Sequence, residues 1–311
     1  MNGGCQPAGA AMTPLPLVRP KQLYAGYIFD LDGTLYLGDS LLPGAQRLIQ
    51  ALRAAGRRLL FLSNNPTKDP DAYAAKLTGL GIPAVPAEVL NTVVTTTHWL
   101  RQNYPNATVF AIAEEPLQRA LRNAGFQLSE DPAEIDIVVA SYDRTFEYRK
   151  LQIAFDALWY FKRARLIATN PDRYCPFPGG RGEPDAAAIV AAIEACTGVR
   201  CERYLGKPDP YVLAAALALL DLPAHQCVMT GDRLYTDIKM ARDAGMASAL
   251  VLTGETTAVT LSEAGDAERP NYVLDRVDAL LPDAVWRRAG WTNPAGLTDS
   301  VTRARRDGSS L

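Results

Sequence analysis

The chain has 311 residues, 48% hydrophobic and 21% charged, a composition that fits one large globular domain or two smaller ones. A formal net charge of −2 argues against bulk electrostatic attraction to nucleic acid or to an anionic membrane. Five cysteines (Cys5, Cys175, Cys196, Cys201 and Cys227) form no Cys-x-x-Cys pair, and the only histidines are His98 and His225. Structural zinc and a disulfide framework are therefore disfavoured, and reduced thiols in a cytoplasmic protein are expected. The longest apolar run, 212–220, lies between Asp209 and Asp221 and is far shorter than the roughly 20 residues of a membrane span. Residues 1–23 read as a loose leader without the charged start and apolar block of a signal peptide, and Met12 offers an alternative start.

The first regular stretch, 25–29, is a short apolar and aromatic run of the kind that forms a strand buried on both faces. It runs into Asp30-Leu31-Asp32-Gly33-Thr34, in which two aspartates one residue apart precede a turn signal. Residues 43–55 read as a helix, with Pro43 in its first turn, Leu48, Ile49 and Leu52 apolar, and Gly56 as the stop. A second buried strand at 57–62 empties into Ser63-Asn64-Asn65-Pro66-Thr67. Strand, helix and strand of these lengths form a right-handed crossover between parallel neighbours, which brings Ser63 and Asn64 near Asp30. Helices are expected at 71–80 and 88–102.

Past Pro105 the alternation restarts, with strands at 108–113, 135–140 and 165–168 and helices at 116–123 and 147–161. A proline- and glycine-rich loop at 176–184 then announces a helix at 185–195. The first theme resumes with Gly206-Lys207-Pro208 ahead of a helix at 211–220 and a strand at 227–232 that ends in Asp232. A helix at 237–244, a buried strand at 248–252 and an edge strand at 272–274 follow, and from Trp286 the chain reads as a poorly ordered tail. The pattern predicts an α/β fold: a parallel-sheet core at 24–104 and 201–285, an inserted α/β domain at 105–200, a leader at 1–23 and a tail at 286–311.

Polar groups thus gather at the strand ends: Asp30 and Asp32; Ser63, Asn64 and Asn65; Lys207; Asp232 and Asp237. Each has an ordinary structural reading, since Asn-Asn-Pro is a turn signal, a lysine before proline is usually solvated, and an aspartate favours a helix N-terminus. Together they have the composition of a phosphate site: acids for a divalent metal, a hydroxyl and amides for phosphoryl oxygens, and one cation.

The order of these pieces resembles the four motifs of the haloacid dehalogenase (HAD) superfamily. They stand here as Asp30-Leu31-Asp32-Gly33-Thr34, Ser63-Asn64-Asn65, Gly206-Lys207-Pro208-Asp209-Pro210 and Gly231-Asp232-Arg233-Leu234-Tyr235-Thr236-Asp237. The long gap between the second and third motifs, with Ala168-Thr169-Asn170-Pro171-Asp172 inside it, is similar to the C2-type α/β cap of subfamily IIA. That subfamily holds the NagD-like, 4-nitrophenylphosphatase-like and phosphoglycolate-phosphatase-like enzymes, and the likeness covers residues 24–285. It implies a Rossmann-like core with an inserted cap and a Mg2+-dependent phosphatase acting on small phosphate monoesters, such as a sugar phosphate or a phosphoglycolate-like metabolite. It further implies that Asp30 attacks phosphorus to give an aspartyl-phosphate, and that Asp32 is the general acid and then the general base. Mg2+ is expected on Asp30, the backbone carbonyl of Asp32, and Asp232, with Asp237 orienting the metal's ligands. Lys207, Ser63 and Asn64 are expected on the phosphate with Asn65 behind them, and Asn170 and Asp172 are expected to face the core from the cap. A homodimer through the cap is a further implication.

One departure stands out. The family's cap carries a Pro-Gly-x-Gly turn before its last helix, whereas this chain reads Gly182-Glu183-Pro184-Asp185-Ala186, with Asp185 in place of a glycine. Either Asp185 is ordinary helix N-terminal chemistry, or the loop faces the leaving group, with Arg181 and Glu183 adding charge; Arg173, Tyr174 and Phe177 are weaker candidates for the same contacts. Other chemistries remain to be weighed. A dehalogenase has no use for Asp32 as a proton donor or for Asp232 as a metal ligand. A phosphomutase or phosphotransferase shares the core motifs, and a non-catalytic phosphometabolite-binding protein has no need to keep Asp30, Asp32, Lys207 and Asp232 together.

Overall fold

A computed structural model describes residues 17–291. The greater part of the expected leader (1–16, including Cys5) and the end of the expected tail (292–311) lie outside the described residues.

β1 (Gly26–Phe29) is buried throughout. A short antiparallel flap, β2 (Tyr36–Leu37) with β3 (Ser40–Leu41), follows it. Next come α1 (Ala45–Ala54), β4 (Arg58–Ser63) and α2 (Pro70–Gly79), the last capped by the Asp69 carboxylate on Ala72 N–H at 2.9 Å. The helix expected at 88–102 begins later, because Val89 to Asn91 pair with β4 as β5 (Val89–Asn91) before α3 (Thr92–Asn103) starts at its Asn91 cap. The inserted part then supplies β6 (Thr108–Ile112), α4 (Glu115–Asn123), β7 (Gln127–Leu128) and β8 (Ile137–Ala140). After these come α5 (Tyr148–Phe155), which ends in a π-helical turn over Asp156–Tyr160, and β9 (Arg165–Ala168). The segment expected as a loop at 176–184 is instead mostly an antiparallel hairpin, β10 (Tyr174–Phe177) with β11 (Arg181–Pro184), ahead of α6 (Ala186–Thr197). β12 (Arg203–Tyr204), α7 (Pro210–Leu220) and β13 (Cys227–Gly231) follow. The chain closes with α8 (Lys239–Asp243), β14 (Ala247–Val251), α9 (Ala258–Glu263), β15 (Tyr272–Leu274) and α10 (Asp283–Arg288).

Two parallel sheets result, with helices packed against them. The first has the order β15-β14-β13-β1-β4-β5 and the second β12-β9-β8-β6-β7. In the first, successive residues of β1 face opposite layers. Tyr27 and Phe29 pack with Leu48, Leu52 and Trp286, while Ile28 packs with Leu60, Val212, Met229 and Met240. The chain leaves β1 through β4 and β5 and returns on the other side with β13. Strand order therefore switches between β1 and β13, where open α/β sheets form a crevice at the strand C-termini. Phe29 is level with Phe61 and with Thr230, so Asp30, Ser63 and Asp232 emerge together.

The edges of the expected segments shift. Arg203 and Tyr204 pair with Ile167 and Ala168, so the second sheet extends past residue 200. Val18 exchanges two backbone bonds of 3.0 Å with Val273, so the leader ends before it. The tail expected from Trp286 begins too early. That residue is 1% exposed within α10, and the Arg47 guanidinium lies 5.3 Å from its ring and 5.4 Å from that of Trp291. Among the described residues no helix is long and apolar enough to cross a membrane.

Candidate active site

The strand tips converge on one buried lysine. Lys207 Nζ lies 2.5 Å from Asp30 Oδ1 and 2.7 Å from Asp237 Oδ1, and it also donates to the Leu62 carbonyl at 3.4 Å. Burial works against its charge, but Asp237 and Asp30 outweigh that and hold it above the ordinary lysine value. Thr34 Oγ1 donates to Asp30 Oδ2 at 3.2 Å, and Asp30 N–H is fixed to the Thr230 carbonyl at 2.8 Å.

Asp30, Asp232 and Asp237 each offer a carboxylate oxygen within 4.8 Å of the others. Burial, then the charges of Asp30 and Asp237, push Asp232 well above the usual carboxylate range, and burial raises Asp237 as well. Three acids at this spacing with one ammonium among them make a donor set suited to a hard divalent cation. Glycines make the room: a Cβ on Gly254 would collide with the Asp232 carboxylate, and one on Gly231 with that of Asp237. Asp232 is held from the far side by Glu255 N–H, 2.6 Å from Oδ2. Asp237, expected only to orient the metal's ligands, thus stands in the cluster itself. The carboxylate of Asp32 stands outside it and accepts from Tyr36 Oη at 3.4 Å. Burial, then the Asp30 charge, push Asp32 up to about 6.

The polar run after β4 is partly spent on structure. Asn64 Nδ2 donates to the Lys207 carbonyl at 3.1 Å and its Oδ1 accepts Lys207 N–H at 2.7 Å, so this side chain clamps the lysine backbone. Asn65 Oδ1 accepts from Thr67 N–H and Oγ1, closing the turn, and Ser63 Oγ accepts Asn65 N–H at 3.1 Å. Asn170, expected to face the core from the cap, does so as a strut. Its Nδ2 donates to the Asn64 carbonyl at 3.0 Å, and its Oδ1 accepts Asp172 N–H at 2.9 Å.

Arg233 is the residue that sequence reasoning overlooked. All of its guanidinium nitrogens are engaged: Nη1 with Asp172 at 2.9 Å, Nε with Glu255 at 2.8 Å, and Nη2 with the Tyr174 carbonyl at 3.1 Å. It joins the core loop after β13 to the inserted domain. Its only sequence signal is its place beside Asp232 inside the fourth motif. Asp185 caps α6 through Ala186 N–H at 2.6 Å and takes Asn170 Nδ2 at 3.3 Å, both on Oδ1. Burial, then Asp172, push its carboxyl up to about 7. Arg173 is exposed and pairs with Glu255 at 3.2 Å, and Glu183 accepts from Tyr142 Oη.

Asp30, Asp32, Ser63, Asn64, Asn65 and Lys207 line one cavity together with Asp172, Cys175, Asp185 and Arg233. Its volume is about 30 Å3, room for little more than ordered water. Of the weaker candidates, Arg173, Tyr174 and Phe177 do not line it.

A parallel sheet with acids, a hydroxyl and a lysine at its switch point, roofed by a second α/β layer, defines a phosphoryl-transfer fold of the HAD type. A family model described as haloacid dehalogenase-like hydrolase matches residues 27–127, and a second HAD-hydrolase model matches residues 204–280. The chain is 36% identical over 255 residues to the sugar-phosphatase AraL of Bacillus subtilis, an alignment spanning 81% of this chain and 90% of that protein. The solved 4-nitrophenylphosphatase of Thermotoga maritima superposes with a TM-score of 0.77 at 34% identity, covering 83% of this chain and 96% of that one. A glycerol phosphate phosphatase from Mycobacterium tuberculosis, solved in complex with calcium, gives a TM-score of 0.73 at 30% identity over 83% of this chain and 75% of that one. The chain belongs to the haloacid dehalogenase-like hydrolases. Within them it is a phosphoric monoester hydrolase of the NagD-like and 4-nitrophenylphosphatase-like group, subfamily IIA.

Proposed function

We propose that this chain is a Mg2+-dependent phosphatase of phosphorylated sugars or similar small metabolites, working through an aspartyl-phosphate on Asp30. The observation that carries this reading is the cluster of Asp30, Asp232 and Asp237 around Lys207, with Asp32 beside it in the same cavity. The names of the relatives, a sugar phosphatase and a glycerol phosphate phosphatase, support a phosphorylated sugar or polyol.

In this mechanism an Asp30 oxygen forms a bond to phosphorus as the bond to the leaving oxygen breaks, and Asp32 delivers its proton to that oxygen. Asp32 then takes a proton from water, the water oxygen bonds to phosphorus, and the Asp30 carboxylate departs with inorganic phosphate as the product. A carboxyl pushed up to about 6 serves both transfers near neutral pH. Lys207 pairs with Asp30 and offsets charge on the transferring group, while Ser63 binds a phosphoryl oxygen and Asn64 holds Lys207 in place. Asp30, Asp232 and Asp237, together with the Asp32 carbonyl, would hold Mg2+, which would supply the charge neutralisation that a dianionic phosphate needs to approach a carboxylate. A cavity of about 30 Å3 is smaller than a phosphate ester, which supports a cap that moves to admit substrate and closes over it again.

The test is phosphate release from a panel of phosphorylated sugars, polyols and 2-phosphoglycolate, with 4-nitrophenyl phosphate as an artificial substrate, in Mg2+ and in EDTA. Release in Mg2+ alone is expected, and its absence from every substrate sinks the proposal. A homodimer through the cap belongs to the same reading. Exposed Tyr148, Trp159, Tyr160 and Phe161 on α5 and the turn after it support the dimer, and a monomer by sedimentation at micromolar concentration rejects it.

A further inference from the structure

The roof of the cavity is acidic, and its cations are already committed. Asp172 and Asp185, 4% and 3% exposed, line it from the inserted domain, and Arg233 lines it from the core. Every guanidinium nitrogen of Arg233 is held, by Asp172, Glu255 and the Tyr174 carbonyl. The other lining cation, Lys207, is held by Asp30 and Asp237. Asp185 uses Oδ1 for the helix cap and for Asn170, and Oδ2 takes neither bond.

From this arrangement we infer that Asp185, with Asp172, is a specificity-determining residue that selects an uncharged, hydroxyl-bearing leaving group and rejects one carrying a second anion. The inference rests on the phosphatase reading and narrows its substrate. A hydroxyl of a sugar or polyol donates a hydrogen bond to either carboxyl oxygen, ionised or not. A carboxylate or second phosphate on the leaving group meets like charge in a buried site and finds no unpaired cation among the lining residues. A glycine, which the family pattern places at position 185, contributes no such charge.

The experiment compares kcat/KM in Mg2+ at pH 8, where the Asp185 carboxyl, pushed up to about 7, is ionised, for glycerol 3-phosphate and 2-phosphoglycolate, with 4-nitrophenyl phosphate alongside, in the native chain and in Asp185→Asn. Asparagine caps a helix as well as aspartate does, so the variant removes charge while keeping the α6 terminus. The native enzyme is expected to favour glycerol 3-phosphate over 2-phosphoglycolate by at least about 10-fold. In Asp185→Asn that ratio is expected to fall by about 5-fold or more, chiefly through a lower KM for 2-phosphoglycolate. A native preference for 2-phosphoglycolate, or a ratio unchanged in the variant, overturns the inference while leaving the phosphatase reading intact. No release from any of the three substrates overturns both. Should Asp185→Asn fail to fold, the native ratio decides alone, with preference for the polyol supporting the inference and preference for 2-phosphoglycolate rejecting it.

Discussion

Asp185 is held at a cost that unfolding can measure. Its carboxyl, at an ordinary 3.8 in the unfolded chain, is pushed up to about 7 in the fold by burial and by Asp172. A carboxyl raised in this way stabilises the fold relative to its ionised form below the unfolded value, and that contribution is lost as pH rises through the folded one. From about pH 5 to pH 7 the loss amounts to roughly 2 to 3 kcal/mol, at 1.36 kcal/mol for each pH unit. Asp185→Asn removes the titration and keeps the cap on Ala186, with an offset of about 0.3–1 kcal/mol for the lost charge at the helix N-terminus. Thermal unfolding of both proteins in EDTA at pH 5 and pH 8 is the assay. The variant is expected to gain on the native chain by roughly 5–10 °C between the two pH values. A melting difference that stays constant with pH, or a variant that loses ground at pH 8, refutes the reasoning.

Asp32→Asn is expected to lower turnover of an alkyl phosphate by roughly 100- to 10,000-fold. In the first turnover it should slow the burst of nitrophenolate from 4-nitrophenyl phosphate much less than release of an alkyl alcohol, because nitrophenolate leaves without a proton, whereas hydrolysis of the intermediate slows for both substrates; equal losses in that first step argue against the proton-donor role. Mg2+ should raise the melting temperature of the native chain, by an amount equivalent to about 2.7 kcal/mol at 100 times its Kd. Asp232→Asn, which removes one of the three clustered carboxylates, should abolish that shift; a shift retained in the variant places the metal elsewhere.

The core of the site is legible in the sequence because buried parallel strands announce themselves. Tyr27 to Phe29, Leu59 to Leu62 and Cys227 to Thr230 are apolar or buried runs, and the polar residues just past their ends emerge at the same sheet edge. The roof is less legible. The hairpin of β10 and β11 contains Pro176, Gly182 and Pro184, residues depleted in strands, and its turn relies on Gly179 and Gly180 at φ 78° and 74°. Composition therefore reads as loop where an antiparallel pair closes over the cavity. Arg233 escaped notice because its partners Asp172 and Tyr174 come from another domain, and no local periodicity reports a contact across the insertion. Asn64 and Asn170 were legible as polar residues near the site but not in their roles. Asparagine offers donors and an acceptor to phosphate and backbone alike, and here the side-chain groups go to the backbones of Lys207, Asn64 and Asp172. The same ambiguity covered Asp185, whose helix cap and place in the cavity wall coexist.

The covalent step on Asp30 is the claim on which the rest depends, and chemical trapping reaches it directly. The enzyme, quenched during turnover of 4-nitrophenyl phosphate in Mg2+ and reduced with borohydride, converts an aspartyl-phosphate to homoserine, which peptide mass spectrometry locates. The account predicts homoserine at position 30 and none in Asp30→Asn. Phosphate release with no modification at Asp30, or with the modification at Asp32, Asp232 or Asp237, contradicts it.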